Sequence, residues 1–508
     1  MNKFFKIVGA VAVINIVARI FGFLREMVIG FQYGSSNYSD SIFTAYTIPN
    51  FLYLAVGGAF TTAVISIYNR ETTDRALFVK QSFTIVLITT TILTAVMMFF
   101  TDSLLQLFYQ GKKEMEGELL TLTEHLFYWM MPSSVLLVLS SWYSGLLNVN
   151  DKFHLSSFAI LVYNASFLII AVALSYVVGP VGYGMSALFS AGIMVFFLII
   201  GYRRLNTHPV GISFKHTLST KQLWLMVLPM IIGGATIQLY ALLQRLFATG
   251  LSDGAISAVN YASRLMQFPQ AILITAVTTV IYPILSRKEA EKDISGIRTL
   301  YSKGLHYLLL LLLPVTVFSY FYAENLVQVV FEYGNFDKDS TALTAPILAI
   351  FVLAMYFLAA NMYITRFYYA KGDSIAPVVF SIVNVLGINI LIMMLFVEKY
   401  GPSAIAWGTL VSAIVNYLML IVYAYFKYGL KFGLFNKESS YYRAWPPFII
   451  ITLIVYLASE FLVFDYKWVT FVVGVLVFFV TVFVTYWVFG IEEFKEFIRK
   501  FTRKFKKA

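Results

Sequence analysis

Four arginines stand inside stretches that are otherwise apolar: Arg19 and Arg25 in the first, Arg245 closing the seventh, and Arg264 in the eighth. An arginine at mid-bilayer costs about 2.5–3.5 kcal/mol on insertion scales, so such side chains face a wet cavity or a partner. A guanidinium stays protonated and presents a planar fork of donors that matches phosphate. A group of them therefore predicts an anionic ligand held without covalent chemistry. Asn15, Arg19, Gly22 and Glu26 recur at i, i+4, i+7 and i+11, which is one face of a helix. Arg25 lies off that stripe, and Gly22 stands where a bend would turn both arginines toward one cavity. Asp40 opens the second stretch behind Ser35-Ser-Asn-Tyr-Ser39.

Each of these residues has a plainer alternative role. Arg19 or Arg25 can form a structural ion pair with Glu26, Arg245 can snorkel to the interface, and Asp40 can cap its own helix. Arg264, within Tyr261 to Pro283, is the hardest to explain in this way. Other chemistry has little to work with. Cysteine is absent, which removes disulfides, thiolate metal sites and cysteine nucleophiles. His125, His154, His208, His216 and His306 are scattered, with no paired spacing. Neither a metal, a cofactor nor an enzymatic reaction is expected.

The elements that must position these residues are membrane helices. The 508 residues are 59% hydrophobic and 12% charged, where a soluble domain carries about 25% charge. About fourteen apolar stretches, from 6–30 to 468–490, are each long enough to cross a hydrocarbon core of about 30 Å. Lipid offers the backbone no hydrogen bonds, so each crossing is expected to be a helix. The net charge of +11 is laid out for a membrane and not for nucleic acid. With both termini cytoplasmic, the outer loops hold only Lys112, Lys113, Lys338, Lys399 and Lys467, which satisfies the positive-inside rule. No removed signal peptide is expected, since the first stretch follows Met1-Asn-Lys-Phe-Phe-Lys6 without a small-residue cleavage site.

The chain also repeats itself. Asn148-Val-Asn-Asp151 pairs with Ala370-Lys-Gly-Asp373, Gly179-Pro180 with Gly401-Pro402, Ile48-Pro49 with Phe268-Pro269, and Thr61-Thr62 with Thr278-Thr279. An even number of spans separates the copies, so the repeats are parallel. The expected architecture is all-α and polytopic: a six-helix lobe over 1–210, a second over 211–432, two further helices over 433–490, and a tail over 491–508. In the tail Ile491, Phe494, Ile498, Phe501 and Phe505 alternate three and four apart among basic residues, as in an amphipathic helix lying on an anionic leaflet.

The stretch Ala18-Arg19-Ile-Phe-Gly22-Phe-Leu-Arg25-Glu26, with Tyr33-Gly34, Asp40-Ser-Ile-Phe-Thr-Ala45, Ile48-Pro49-Asn50 and Gly58-Ala59-Phe60, resembles the amino-terminal signature of the MurJ/MviN lipid II flippases. These belong to the multidrug/oligosaccharidyl-lipid/polysaccharide exporter superfamily. Gly254-Ala-Ile-Ser257-Ala-Val-Asn-Tyr261-Ala262-Ser-Arg264-Leu265 with Phe268-Pro269 is similar to a second block of that family. The resemblance implies that Arg19, Arg25 and Arg264 hold the pyrophosphate of a lipid-linked glycan, that Glu26 is their acidic partner, and that Asp40 is functional. Arg245, Asn15, Gln267 and Asn384 are secondary candidates.

The resemblance has gaps. Leu52, Tyr53 and Gly57 stand where the family often has an arginine pair and a glutamate, and Ser263 and Gln267 stand at acidic places around Arg264. Gln244 and Ile388 replace two carboxylates that bind sodium in some members, with Asn384 kept, so membrane potential is the expected energy source. The resulting expectation is a flippase of the bacterial cytoplasmic membrane carrying lipid II by alternating access, its partners being an undecaprenyl-pyrophosphate-linked glycan and membrane lipid. Export of a different undecaprenyl-linked polysaccharide unit is the alternative. A cation-coupled drug exporter would want cavity carboxylates, and a polytopic glycosyltransferase an acidic pair in a large outer loop.

Overall fold

The computed structural model describes residues 3–71, 74–109, 118–215, 217–249, 251–431, 444–495 and 499. Every regular element among them is helical. The chain divides into two compact units, Met1–Ser257 and Ala258–Ala508. The first holds α1 (Lys3–Tyr33), α2 (Asn37–Arg70), α3 (Arg75–Phe99), α4 (Thr101–Tyr109), α5 (Glu118–Val149), α6 (Phe153–Val178), α7 (Val181–Arg203) and α8 (Leu218–Thr249). Helix α9 (Ala255–Ala290) starts there and continues into the second unit. That unit goes on with α10 (Ile294–Phe321), α11 (Ala323–Val330), α12 (Lys338–Leu353), α13 (Met355–Ala370), α14 (Ile375–Tyr400), α15 (Ser403–Tyr428), α16 (Trp445–Phe461) and α17 (Lys467–Val488).

Nine helices among the described residues are long and apolar enough to cross a membrane. Helices α12 and α13, bent by 41° at their junction, form a tenth if they make one broken span. The apolar run through these two helices is thus interrupted at Ala354. Beside that junction the side-chain amide of Gln270 donates to the Met355 carbonyl (3.3 Å). Aspartates cap three helices: Asp74 accepts from Leu77 N (2.8 Å), Asp293 from Gly296 N (2.8 Å) and Asp337 from Ser340 N (2.8 Å).

Helix packing in the first unit relies on small residues, as expected where lipid removes the hydrophobic drive between helices. Helix α2 passes through a π-helical turn at Tyr53–Gly57, one turn after Pro49. A side chain at Gly57 would have to displace Ser141 on α5. One turn on, Thr61 Oγ1 donates to the Ser141 carbonyl (2.8 Å). A longer side chain at this place has no room unless Ser141 moves.

One pair of the repeated turns shares its backbone conformation. Gly179 and Gly401 both have positive φ (60° and 53°), each followed by a proline that opens the next helix. In the other pair the left-handed residue is Asp151 in the first copy (φ 58°) and Gly372 in the second (φ 75°). In the second unit α16 and α17 pack on α10 through Leu310, Phe318, Ile451, Val455 and Phe478. Ile491 and Phe494 join that cluster; most of the expected tail helix lies outside the described residues.

Candidate functional site

Helix α1 is strapped to its neighbours by polar side chains that an apolar helix would otherwise not carry. Asn164 on α6 donates to the Ala18 carbonyl (3.1 Å). Gln32 donates to Ser175 Oγ (2.9 Å) and accepts from Tyr183 Oη (2.7 Å). These bonds fix the rotation of α1, and the rotation buries Arg25 and Glu26 while leaving Arg19 exposed and Asn15 half-buried.

The Arg25 guanidinium lies over two rings, Tyr46 from α2 at 5.2 Å and Phe167 from α6 at 4.9 Å. A cation over an aromatic face gains about 0.5–2 kcal/mol, most when water is excluded. Its Nη2 donates to Glu26 Oε1 (2.9 Å). The Tyr46 and Tyr163 hydroxyls lie 3.3 Å apart beside it. The ion pair with Glu26 is therefore formed, yet it consumes only one edge of the fork. Nη1 is buried and has no hydrogen-bond partner. A buried unpaired donor on a charged group is costly, and an anionic oxygen would satisfy it.

Asp40 does not cap its own helix. Ser36 occupies the N-cap place, and its N–H donates to Ser39 Oγ (3.0 Å). That leaves the Asp40 carboxylate for a different helix end. Oδ1 accepts from Ser257 N (2.7 Å) and Oδ2 from Gly254 N (3.1 Å), so Asp40 caps α9, the helix that carries Arg264. A carboxylate at a helix N-terminus answers both the orphan N–H groups and the dipole. Gly254 has φ +77°, and a Cβ there would run into the Ser35 backbone, so only glycine fits the approach.

Arg245 reaches across to α2, where Nη1 donates to the Phe43 carbonyl and to Thr47 Oγ1. It acts as a tie between α8 and α2. In the second unit Arg264 is half-buried and Gln267 exposed. Asn384 is buried in a π-helical stretch of α14, Val383–Asn389, and donates to the Phe380 carbonyl (2.8 Å) and to Asn416 Oδ1 (3.3 Å). Its own Oδ1 and both amide atoms of the fully buried Asn389 have no hydrogen-bond partner. Among the described residues no group of three or more His, Asp and Glu converges as a metal site would require. The residues missed from sequence are Tyr46, Tyr163, Asn164 and Phe167. The adjacent Tyr163-Asn164 pair within an apolar helix was the available signal.

Comparison with known proteins gives this geometry a family. The family model "Lipid II flippase MurJ" matches residues 32–485. A lipid II flippase MurJ from Burkholderia cenocepacia is 25% identical over 476 residues, covering 91% of each chain. A probable lipid II flippase MurJ from Rickettsia prowazekii is 26% identical over 423 residues, covering 81% of this chain and 82% of its own. The solved structure of a lipid II flippase MurJ in an inward closed conformation superposes with a TM-score of 0.80 at 22% identity, covering 94% of this chain and 98% of that one. An inward-facing multidrug resistance MATE family transporter of the MOP superfamily gives 0.69 at 14% identity, covering 79% of this chain and 93% of that one. With a match that spans nearly the whole chain, this multi-pass membrane protein belongs to the lipid II flippase MurJ family.

Proposed function

We propose that this protein carries lipid II from the inner to the outer leaflet of the bacterial cytoplasmic membrane by alternating access, with both termini cytoplasmic and no covalent step. One observation carries the reading to a residue. Arg25 is buried between Tyr46 and Phe167 with Nη1 unsatisfied, which is what a receptor for a pyrophosphate oxygen requires. In this reading Arg19, Arg25 and Arg264 contact the pyrophosphate, Glu26 orients Arg25, and Asp40 governs the position of α9. The lobes are 1–210 and 211–432, with the polyprenyl tail in lipid along the two helices of 433–490 and the basic tail 491–508 on the inner leaflet.

The experiment is complementation of a strain depleted of its own flippase, scored by growth and by accessibility of the lipid II headgroup at the outer surface. Wild type should restore both, and Arg25→Ala at equal abundance neither. Failure of wild type to expose lipid II would overturn the reading, and export of another lipid-linked glycan by the same cells would establish the alternative.

A further inference from the structure

The first unit has a second polar hollow that the reading above does not use. A cavity of about 590 Å³ lies at the end of α7, lined by Phe83 of α3, Tyr143 of α5, Tyr202 and Arg203 of α7, and the segment that follows, including Thr207 and His208. Its walls are pinned. Tyr202 Oη donates to the His208 carbonyl (3.1 Å), Thr84 Oγ1 accepts from Ser213 N (2.9 Å), and the Gln81 amide donates to the Lys215 carbonyl (2.7 Å). The His208 ring packs against Tyr68 (6.1 Å), and Tyr143 meets Tyr202 edge-on (6.0 Å). Such a hollow is preformed and loses little entropy on binding.

Its chemistry is one-signed. No acidic side chain lines it, while Arg203 offers a permanent cation and Asn206 and Thr207 offer exposed donors. The carbonyls of Ile200, Tyr202 and Arg203, the negative end of α7, are already taken by the N–H groups of Arg204, Leu205 and Asn206, which blunts their repulsion of an anion. Phe189, Ile193, Phe196 and Ile200 are all exposed on α7. They recur at i, i+4, i+7 and i+11, and Arg203 at i+14 continues the same line. An apolar stripe that runs into a cationic, aromatic hollow matches an acyl chain ending in an anionic headgroup.

We propose that this cavity is a binding site for a glycerophosphate headgroup, with the phosphate on Arg203 and the acyl chains along the α7 stripe. The test is native mass spectrometry of the full-length protein with dioctanoyl phosphatidylglycerol, against dioctanoyl phosphatidylcholine. Wild type should retain phosphatidylglycerol preferentially. Arg203→Ala should weaken retention about tenfold, as expected for loss of a charge-assisted contact. Thr207→Trp, which fills the hollow and keeps the charge, should weaken it similarly. Arg204→Ala, next in sequence but outside the lining, should change it less than about twofold, a purely screened surface effect. Thermal melts show whether each variant is folded. Equal retention by wild type and Arg203→Ala, or equal losses in the Arg203 and Arg204 variants, would overturn the proposal. Millimolar glycerol phosphate separates the sources: no displacement assigns a lipid, and displacement assigns a soluble phosphate ester to the same contacts.

Discussion

The two units of this chain solve the problem of polarity inside a membrane in opposite ways. The first buries charge: Arg25, Glu26 and Asp40 are all buried, each with a charge-assisted contact. The second, among its described residues, buries no Asp, Glu, Lys or Arg to that degree; its buried polar side chains inside spans include Asn361, Asn384, Asn389 and His306. A charge withdrawn from water is held only where partners repay desolvation, so buried charge marks a place where something is recognised or moved. A neutral amide costs far less and can serve packing alone: Asn361 simply donates to the Ala413 carbonyl (3.1 Å). The repeated sequence motifs do not reveal this difference, because none of them includes Arg25, Glu26 or Asp40.

The largest effect expected from breaking the contrast is at Arg25. Arg25→Ala removes a charged donor worth about 1.5–3 kcal/mol and also takes a cationic partner from the buried Glu26, a loss of up to about 3–5 kcal/mol for a broken buried pair. Transport should be lost and abundance reduced. The double variant Arg25→Gln/Glu26→Gln separates the two losses, since it removes both charges. It should recover wild-type abundance on an immunoblot and remain without flipping. Recovery of flipping in the double variant would mean that Arg25 is structural.

Asp40 comes next. Both its oxygens accept from N–H groups of α9. Asp40→Asn keeps one acceptor and turns an NH₂ toward the other donor, and Asp40→Ser has one oxygen on a shorter arm. Flipping should fall about tenfold in the Asn variant, from one charge-assisted bond lost, and further in Ser. Normal headgroup exposure by both variants would reduce Asp40 to an ordinary packing residue.

Neutral side chains in both units make a prediction about energy. Gln244 is buried, and Asn384 and Ile388 carry no charge; neutral side chains alone hold a hard cation poorly. Two negative charges crossing the full field gain roughly 4–5 kcal/mol per 100 mV. Replacing sodium by choline at constant potential should leave headgroup exposure unchanged, and collapsing the potential should abolish it. Loss of flipping in choline, with the potential intact, would reveal a sodium site and erase the contrast.

The smallest effect concerns the repeated turn. Asp373 accepts from Lys427 Nζ (2.8 Å), Tyr428 Oη (2.7 Å) and Ala376 N (3.1 Å), and Lys427 first, then Tyr428, holds its carboxyl down at about 2. Asp151, the matching residue of the first copy, is exposed. A lowered folded-state pKa stabilises above the unfolded value of about 3.9 and is lost as pH falls through the folded value. Wild type should therefore lose a small increment of thermal stability between about pH 4 and pH 2, and Asp373→Asn should lack that increment, while Asp151→Asn changes nothing. The increment is at most about 1 kcal/mol, because the lysine is half exposed. Identical pH profiles for Asp373→Asn and wild type would show the pair to be idle.

Much of this protein was legible from residue order. Apolar run length determined that it is helical and crosses a membrane repeatedly, since each helix satisfies its backbone within its own segment. Charges inside those runs named Arg19, Arg25, Glu26, Asp40 and Arg264 as candidates, because an intramembrane charge is conspicuous without any knowledge of its partner. What those charges touch was decided only by tertiary structure. Glu26 is one residue from Arg25, but whether that pair forms, and which edge of the fork stays open, depends on the rotation of α1 set by Asn164 and Gln32 from elsewhere in the chain. Asp40 had a local signal for capping its own helix, and Ser36 holds that position. Its real partners lie 214 and 217 residues away. Arg245 had the look of an interfacial side chain and instead ties α8 to α2. Helical periodicity is local and can be read within a window; the partner of a buried polar group is chosen by which faces pack, and no window contains it.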